Sequence, residues 1–419
     1  MIDQRNRTHY SQAEDAIFED VNVEKSTSYL DNFKVTVVSG GGIAAVEVPR
    51  LVRELRRHGA TTQICATENA LKFVGLESLR WASQNEVVIN PSGLSEHICT
   101  SDIVVVVPAT ADLLSKIKNG ICSDGATTLI QSAFGAKKTV IFCQTMHDSL
   151  ASSPIIMENI STLEKIPNVF FIKPRQEEGK QKIPPVESFA MDICHIANMQ
   201  KRKIKDTVLI TLGGTRVMLD PVRCITNLST GNTGIEVAKL FYGVGYKVQV
   251  LAANTNKQVP TYEGLHVQYL PNYQDMFEFA CHINPQKFAG LIHLVAASDF
   301  VPEQIGNSKI KSNSQKLTLN LTPTKKLLTH TQLKDISYKA AAKLTTESQE
   351  EGLKQAVQLL TENNLNAVLW NTAADAWNNE LHAGVFLEKQ KDNIAQTKLS
   401  DVKKIAQSYL NSFEGRKAK

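Results

Sequence analysis

The chain has 419 residues, 42% hydrophobic and 21% charged, with 46 Lys+Arg against 42 Asp+Glu and a formal charge of +4. That is globular composition, long enough for two or three domains of about 150 to 200 residues, and it excludes a fibrous or disordered chain. The near-neutral balance calls for neither nucleic acid nor an anionic membrane as partner and leaves small acidic ligands open.

Residues 1–31 are polar, without an apolar period or a signal-peptide core, and read as a mobile leader. From Phe33 the pattern changes. KVTVV is a short buried-strand run, SGGG a turn, and Ala44, Val48, Leu51, Val52 and Leu55 recur at helical spacing up to the stop at Gly59. TTQICAT follows as a second strand, closing a β-α-β unit. Further strands are expected at 103–107, 139–143 and 169–172, with helices near 110–118, 154–164 and 186–199, so residues 32–200 form an α/β domain on a mainly parallel sheet.

The basic stretch KRKIKD (201–206) reads as a solvated linker. TVLIT (207–211) then restarts strand, glycine turn and helix. YKVQVLAA, HVQYL, GLIHLVAA, LTLNL, NAVLW and HAGVFLE are strand candidates, with helices near 273–282, 347–363 and 400–413. The expected organisation is two Rossmann-like three-layer α/β domains, the second spanning 207–415 and ending in a frayed tail at 416–419. Seven scattered cysteines (65, 99, 122, 143, 194, 224, 281) without a C-x-x-C speak against a disulfide framework or structural zinc and fit a reducing cytoplasm. The longest apolar run, 103–107, is far short of the ~20 residues of a membrane span.

Two turns carry chemistry. Ser39-Gly40-Gly41-Gly42 joins strand to helix, where free N–H groups and the helix dipole suit a phosphate; tight turns also need glycine for steric reasons alone. The order is not G-x-G-x-x-G, which disfavours a nicotinamide dehydrogenase. In the second half, Gly213 and Gly214 end a strand, and Asn227-Leu228-Ser229-Thr230-Gly231 opens a helix with hydroxyls and amides converging on one point. A capped helix explains Ser229 or Gly231 singly, but not the whole string.

The first half, through SGGGIAAVEVPRLVRELRRHGA, TENALKFV, His97-Ile98, VVPATADLLSKIKNGICSD and QTMHDSLASSPIIMENISTL, resembles the flavoproteins that decarboxylate 4'-phosphopantothenoylcysteine over roughly 33–165. That resemblance implies FMN held by Gly41, Gly42, Ile43, Thr67, Pro108, Ala109 and Thr110, with His97 catalytic. Read alone, His97 is equally a surface or capping residue. The chain departs from the family at Gly40, at Glu47 in place of a lysine, and at His147 in place of the asparagine that binds the substrate carboxylate. The stretch 173–185, where a flap cysteine protonates the enethiolate, has no cysteine. Neither Lys180 nor Lys182 is an obvious thiol substitute, so the decarboxylase half reads as degenerate.

LITLGGTRVMLDPVRCITNLSTGNTGIEVAKL resembles the signature of phosphopantothenate-cysteine ligases, and LVAASDFVPEQIGNSKIK resembles the same family's next block. The resemblance implies a nucleotide held by Gly213, Gly214, Ser229, Thr230, Gly231, Ala296, Ala297, Asp299, Lys309 and Tyr338. Asn227 and Lys309 then do the chemistry across one cleft, with Asp299 reading the base. Two helix lysines of CTP-using members are Leu359 and Asn363 here, so CTP and ATP both remain open. The expected protein is a bifunctional enzyme of coenzyme A synthesis, joining 4'-phosphopantothenate to cysteine with Mg²⁺. It is expected to be a homo-oligomer, a trimer or dodecamer through the first domain and a dimer through the second. The alternative is a catalytically eroded binding or regulatory oligomer.

Overall fold

The computed structural model describes residues 21–91, 93, 97–311, 316–377, 383–391 and 393–417. The chain divides into two compact units, Met1–Lys203 and Ile204–Lys419.

The first unit is built on β1 (Lys34–Ser39), β2 (Thr61–Ala66), β3 (Ile103–Ala109), β4 (Thr139–Gln144) and β5 (Val169–Phe171), all parallel in the order β2-β1-β3-β4-β5. Every residue of β3 is buried, as a central parallel strand covered on both faces requires. The helix Val48–Arg57 starts on Pro49 and buries Val48, Leu51, Val52 and Leu55, each contributing about 1.5–3 kcal/mol. It ends at Gly59, whose φ of +96° and close approach to Asp31 leave no room for a side chain. The helix Gly125–Gly135 was not legible in sequence; Asp124 caps it by accepting from the Thr127 amide at 2.8 Å. A hairpin of β6 (Arg175–Glu177) and β7 (Lys180–Lys182) precedes the long helix Val186–Arg202.

Two expectations change here. The leader does not extend to residue 31. Ser26 and Leu30 donate backbone hydrogen bonds to Arg57 and His58 at 2.8 Å, Thr27 pairs with His58 at 2.7 Å, and Leu30 is fully buried. Residues 1–20 of that leader lie outside the described residues. The first two residues of the expected linker belong to the helix, where Lys201 lies 4.2 Å above the Phe33 ring.

In the second unit, β8 (Thr207–Leu212), β11 (Lys247–Ala252), β12 (Leu265–Tyr269), β13 (Gly290–His293), β16 (Tyr338–Thr345) and β17 (Ala367–Thr372) are parallel. Antiparallel β18 (Gly384–Lys389) and β19 (Ile394–Leu399) close an eight-stranded sheet ordered β12-β11-β8-β13-β16-β17-β18-β19. Two short hairpins stand off it, β9 (Arg216–Met218) with β10 (Cys224–Thr226), and β14 (Phe300–Pro302) with β15 (Leu321–Pro323). The expected strand LTLNL therefore shrinks to Leu321 onward, because its partner β14 offers only three residues. The C-terminal helix Val402–Lys417 takes in part of the expected tail; its Phe413 packs edge-on against Tyr246 and Tyr338 at 5.3 and 5.1 Å. Among the described residues no helix is long and apolar enough to cross a membrane.

Candidate functional site

In each unit the strand order reverses beside the first strand, between β1 and β3 and between β8 and β13. Loops leaving neighbouring strands diverge at such a point and open a crevice at the strands' carboxyl ends.

In the first unit that crevice is a cavity of about 630 Å³ walled by the Gly41-Gly42 turn, Thr67, Asn69, Thr110 and Asp124. A Cβ at Gly40 would sit 2.2 Å from the Pro108 carbonyl oxygen, and one at Gly41 2.4 Å from Asn69 Cβ, so both glycines are imposed by packing. At Gly42 a Cβ would meet Thr110 Cγ2 at 3.4 Å and Pro108 Cγ at 3.7 Å, ordinary contacts, so packing does not impose glycine there. Thr110 caps the helix Ala111–Lys118, accepting from the Leu113 amide at 3.3 Å. Thr67 Oγ1 donates to the Ser39 carbonyl at 3.3 Å. Ser39 Oγ, at the root of the turn, is fully buried, has no hydrogen-bond partner among the described residues and does not line the cavity. Pro108 and Ala109 are buried and do not line this cavity, and Ile43, 71% exposed, lines a neighbouring one instead.

In the second unit a cavity of about 210 Å³ lies between the turn 228–234 and the ends of β13, β16 and β17. Asn227 Nδ2 donates to the carbonyls of Ala296 at 3.3 Å and Ala297 at 2.9 Å, tying the turn to the end of β13. Gly231, with φ +73°, opens the helix Asn232–Gly243. Gly213, also left-handed at +85°, and Gly214 let the chain pass against Asn254 and Asn227: a Cβ on Gly214 would lie 2.4 Å from the Asn227 carbonyl oxygen. Asn254 was not anticipated; its amide and Nδ2 donate to the Gly214 carbonyl at 3.1 and 2.8 Å, and its carbonyl accepts from the Gly214 amide at 2.9 Å. Beneath the turn, Thr215 and Ser298 share a buried hydrogen bond of 2.9 Å. Ser229, Thr230, Gly231 and Ala296 thus line one cavity.

A Flavoprotein family model matches residues 23–198, and the model of the DNA/pantothenate metabolism flavoprotein C-terminal domain matches residues 204–414. The coenzyme A biosynthesis bifunctional protein CoaBC of Thermococcus kodakarensis is 34% identical over 303 residues, covering 70% of this chain and 73% of that one. Its counterpart in Methanocaldococcus jannaschii is 30% identical over 396 residues, 90% and 95% of the two chains. The chain belongs to the CoaBC family of coenzyme A biosynthesis bifunctional proteins. Among solved structures, the DNA/pantothenate metabolism flavoprotein from Streptococcus pneumoniae aligns with a TM-score of 0.44 at 20% identity, over 51% of this chain and all of that one.

In this CoaBC family member Tyr338, His97, Lys309 and Asp299 are all absent from the walls of these two cavities. Tyr338 is a correction: it begins β16, at the amino end of the parallel strands and opposite the crevice at the Asn227 turn, where it is buried against Phe413. Burial pushes its hydroxyl pKa well up, as befits a core tyrosine. His97 is exposed and lines neither the glycine-turn cavity nor the one beside it.

Lys309 is exposed and is not part of the wall around the Asn227 turn. Its segment is fastened elsewhere: the Ile310 amide donates to Asp220 at 3.0 Å, Arg223 to the Ile310 carbonyl at 3.0 Å, and Gly306 to Leu219 at 2.9 Å. Asp220 is buried and also accepts from the Val222 and Arg223 amides at 2.7 Å each. These donors, Ile310 first, hold its carboxyl well below the usual range. Asp299 is exposed and ion-paired with Lys326, a lysine the sequence motifs did not single out.

Proposed function

We propose that the second unit joins 4'-phosphopantothenate to L-cysteine using CTP or ATP. A carboxylate oxygen of 4'-phosphopantothenate attacks the α-phosphorus, and pyrophosphate leaves. The cysteine amine then attacks the acyl carbon; the nucleoside monophosphate departs with one former carboxylate oxygen, and the amine's surplus proton passes to water. The amides and hydroxyls of Ser229, Thr230 and Gly231 meet the charge that develops on phosphorus, which fixed dipoles do without reorganising. Asn227 positions that turn and meets the acyl nucleotide, Ala296 and Ala297 line the base pocket, and Asp299 reads the base edge. Lys309, on the segment held by Asp220, would meet the phosphates, and Mg²⁺, when bound, would neutralise part of their charge.

The observation that carries this reading is the pair of hydrogen bonds from Asn227 to the Ala296 and Ala297 carbonyls, which gathers the turn and the strand end at the switch point. Full-length protein with 4'-phosphopantothenate, L-cysteine and either CTP or ATP tests it through pyrophosphate release. Asn227→Asp is expected to lower kcat by about 100-fold or more. No nucleotide-dependent release from the native chain sinks the ligase reading; an unaffected variant sinks the site.

The first unit holds FMN through Gly41, Gly42, Ile43, Thr67, Pro108, Ala109 and Thr110, and removes CO₂ from 4'-phosphopantothenoylcysteine with His97 taking part. The cavity of about 630 Å³ walled by Gly41, Gly42, Thr67 and Thr110 supports that fit. When bound, FMN supplies reversible two-electron oxidation of the substrate thiol. Flavin absorbance in the purified protein supports this half, and a colourless protein that takes up no added FMN overturns it. The working form is a cytoplasmic homo-oligomer, a trimer or dodecamer through the first unit and a dimer through the second, which light scattering measures.

A further inference from the structure

The glycine-turn cavity adjoins another of about 620 Å³, and Gly42, Thr145, Met146 and His147 line both. The loop at this junction is fixed from one side by the β6–β7 hairpin. The Gln181 amide donates to the Met146 carbonyl at 2.8 Å, and the Asp148 amide to the Gly179 carbonyl at 3.0 Å. His147 stands between these two anchors and is the one imidazole on either wall among the described residues. Its backbone is held while its ring is exposed.

Hydrogen bonding sets where the ring carries its proton. The Ser149 amide donates to Nδ1 at 3.3 Å, and since an amide can only donate, the neutral ring is assigned its proton on Nε2. Ser149 Oγ, 3.0 Å from Nδ1, can instead accept a proton from that nitrogen when the ring is charged. Nδ1 thus has a partner in both forms, whereas Nε2 has none among the described residues. Imidazole is the side chain suited to passing protons near neutral pH, and the nitrogen left free to do so belongs to a ring on the cavity wall.

The other titratable groups on the glycine-turn cavity are committed elsewhere. Asp124 accepts from the Thr127 amide and hydroxyl at 2.8 Å each, as a helix cap must, and Glu68 accepts from Asn90 at 3.2 Å. Asp112 pairs with Lys116 at 2.9 Å, and that hydrogen bond tightens the ammonium's hold on its proton. Among the described residues no cysteine lines either cavity. Three carboxylates serving as acceptors and a lysine that keeps its proton leave His147 as the group able to give one.

We propose that His147 is the general acid of the first unit's decarboxylation. The C–C bond to the carboxylate breaks, CO₂ departs, and the carbon left with the electron pair bonds the proton from Nε2. The imidazole then recovers a proton from water, which its exposure admits. One proton is consumed for each carboxylate lost, and no oxidant or reductant enters the step. The inference rests on the decarboxylase reading of the first unit and names the residue that completes it.

The test uses the full-length protein loaded with FMN, and its first readout is CO₂ release from 4'-phosphopantothenoylcysteine. His147→Gln, which keeps a hydrogen-bonding side chain but cannot pass a proton, should lower kcat about 100-fold or more. In His147→Ala, free imidazole should restore activity at least about tenfold, whereas pyrazole, a ring of the same size too weakly basic to carry a proton at neutral pH, should restore none. The second readout needs no turnover. Carbethoxylation of His147 by diethyl pyrocarbonate, located by mass spectrometry, should be suppressed by 4'-phosphopantothenoylserine, whose hydroxyl cannot follow the thiol chemistry. A His147→Gln enzyme within about threefold of native, rescue by pyrazole equal to that by imidazole, or labelling indifferent to the serine analogue overturns the proposal, while native CO₂ release keeps the decarboxylase reading. A loaded native enzyme that releases no CO₂ overturns both.

Discussion

Replacing Gly214 by alanine should separate catalysis from folding. Its backbone lies outside the left-handed region, so alanine adds no conformational strain, but the new Cβ would sit 2.4 Å from the Asn227 carbonyl oxygen, 3.4 Å from its carbonyl carbon and 3.5 Å from Ser229 Cβ. Relief requires the Asn227–Ser229 turn to retreat by about 1 Å, which at a reacting centre costs roughly 100-fold in rate, or about 2.7 kcal/mol of transition-state stabilisation. Because the turn is exposed at Leu228, it can move without opening the core. Pyrophosphate release should therefore fall about 100-fold in kcat/KM while the urea midpoint shifts little. Gly234→Ala is the contrasting control: its Cβ would meet Leu212 Cβ at 2.4 Å inside the unit, so stability and activity should fall together. A Gly214→Ala enzyme within about threefold of native activity would refute the placement of the acyl site at this turn.

Other expectations follow from burial and charge. Desolvation pushes His293 down to about 4, and its Nδ1 lies 3.0 Å from Thr211 Oγ1. The unfolded chain takes up that proton first, so stability should fall as pH drops from about 6.5 to 4, by up to roughly 3 kcal/mol. Urea midpoints across that range, compared with His293→Gln, measure the effect. Leu30→Ala should cost about 2–5 kcal/mol, because the residue is a fully buried part of the first core; a thermal midpoint unchanged by the substitution would return residues 26–31 to a leader. Asp220→Asn should release the 306–311 segment to limited proteolysis, since a neutral amide cannot accept all the donors that Asp220 accepts. The native carboxylate's contribution is complete above the ordinary carboxyl range and is lost as pH falls toward its depressed value, whereas the variant lacks that acid-dependent component.

Some elements were plain in the sequence because parallel strands buried on both faces leave apolar runs, unbroken at 103–107 and interrupted only by threonine within 35–38 and 208–212. Strand β16 was not, since YKAAAKLT is rich in alanine and lysine and owes its pairing to β13 and β17 on either side. The helix Gly125–Gly135 carries no charged residue and so no amphipathic contrast. At the site, the glycines and the Asn227–Gly231 string were legible because close backbone approach constrains residue type. Asn254 and Lys326 were not, for each joins the site only through a partner distant in sequence. Tyr338 misled because motif spacing does not tell the amino end of a strand from its carboxyl end.

Isotope transfer bears most directly on the proposed chemistry. 4'-Phosphopantothenate labelled with ¹⁸O in its carboxylate should, with cysteine and CTP or ATP, deliver one labelled oxygen to the phosphate of the nucleoside monophosphate and none to pyrophosphate. Label appearing in inorganic phosphate, or amide formation with unlabelled nucleotide products, would contradict carboxylate attack on the α-phosphorus at the Asn227 turn.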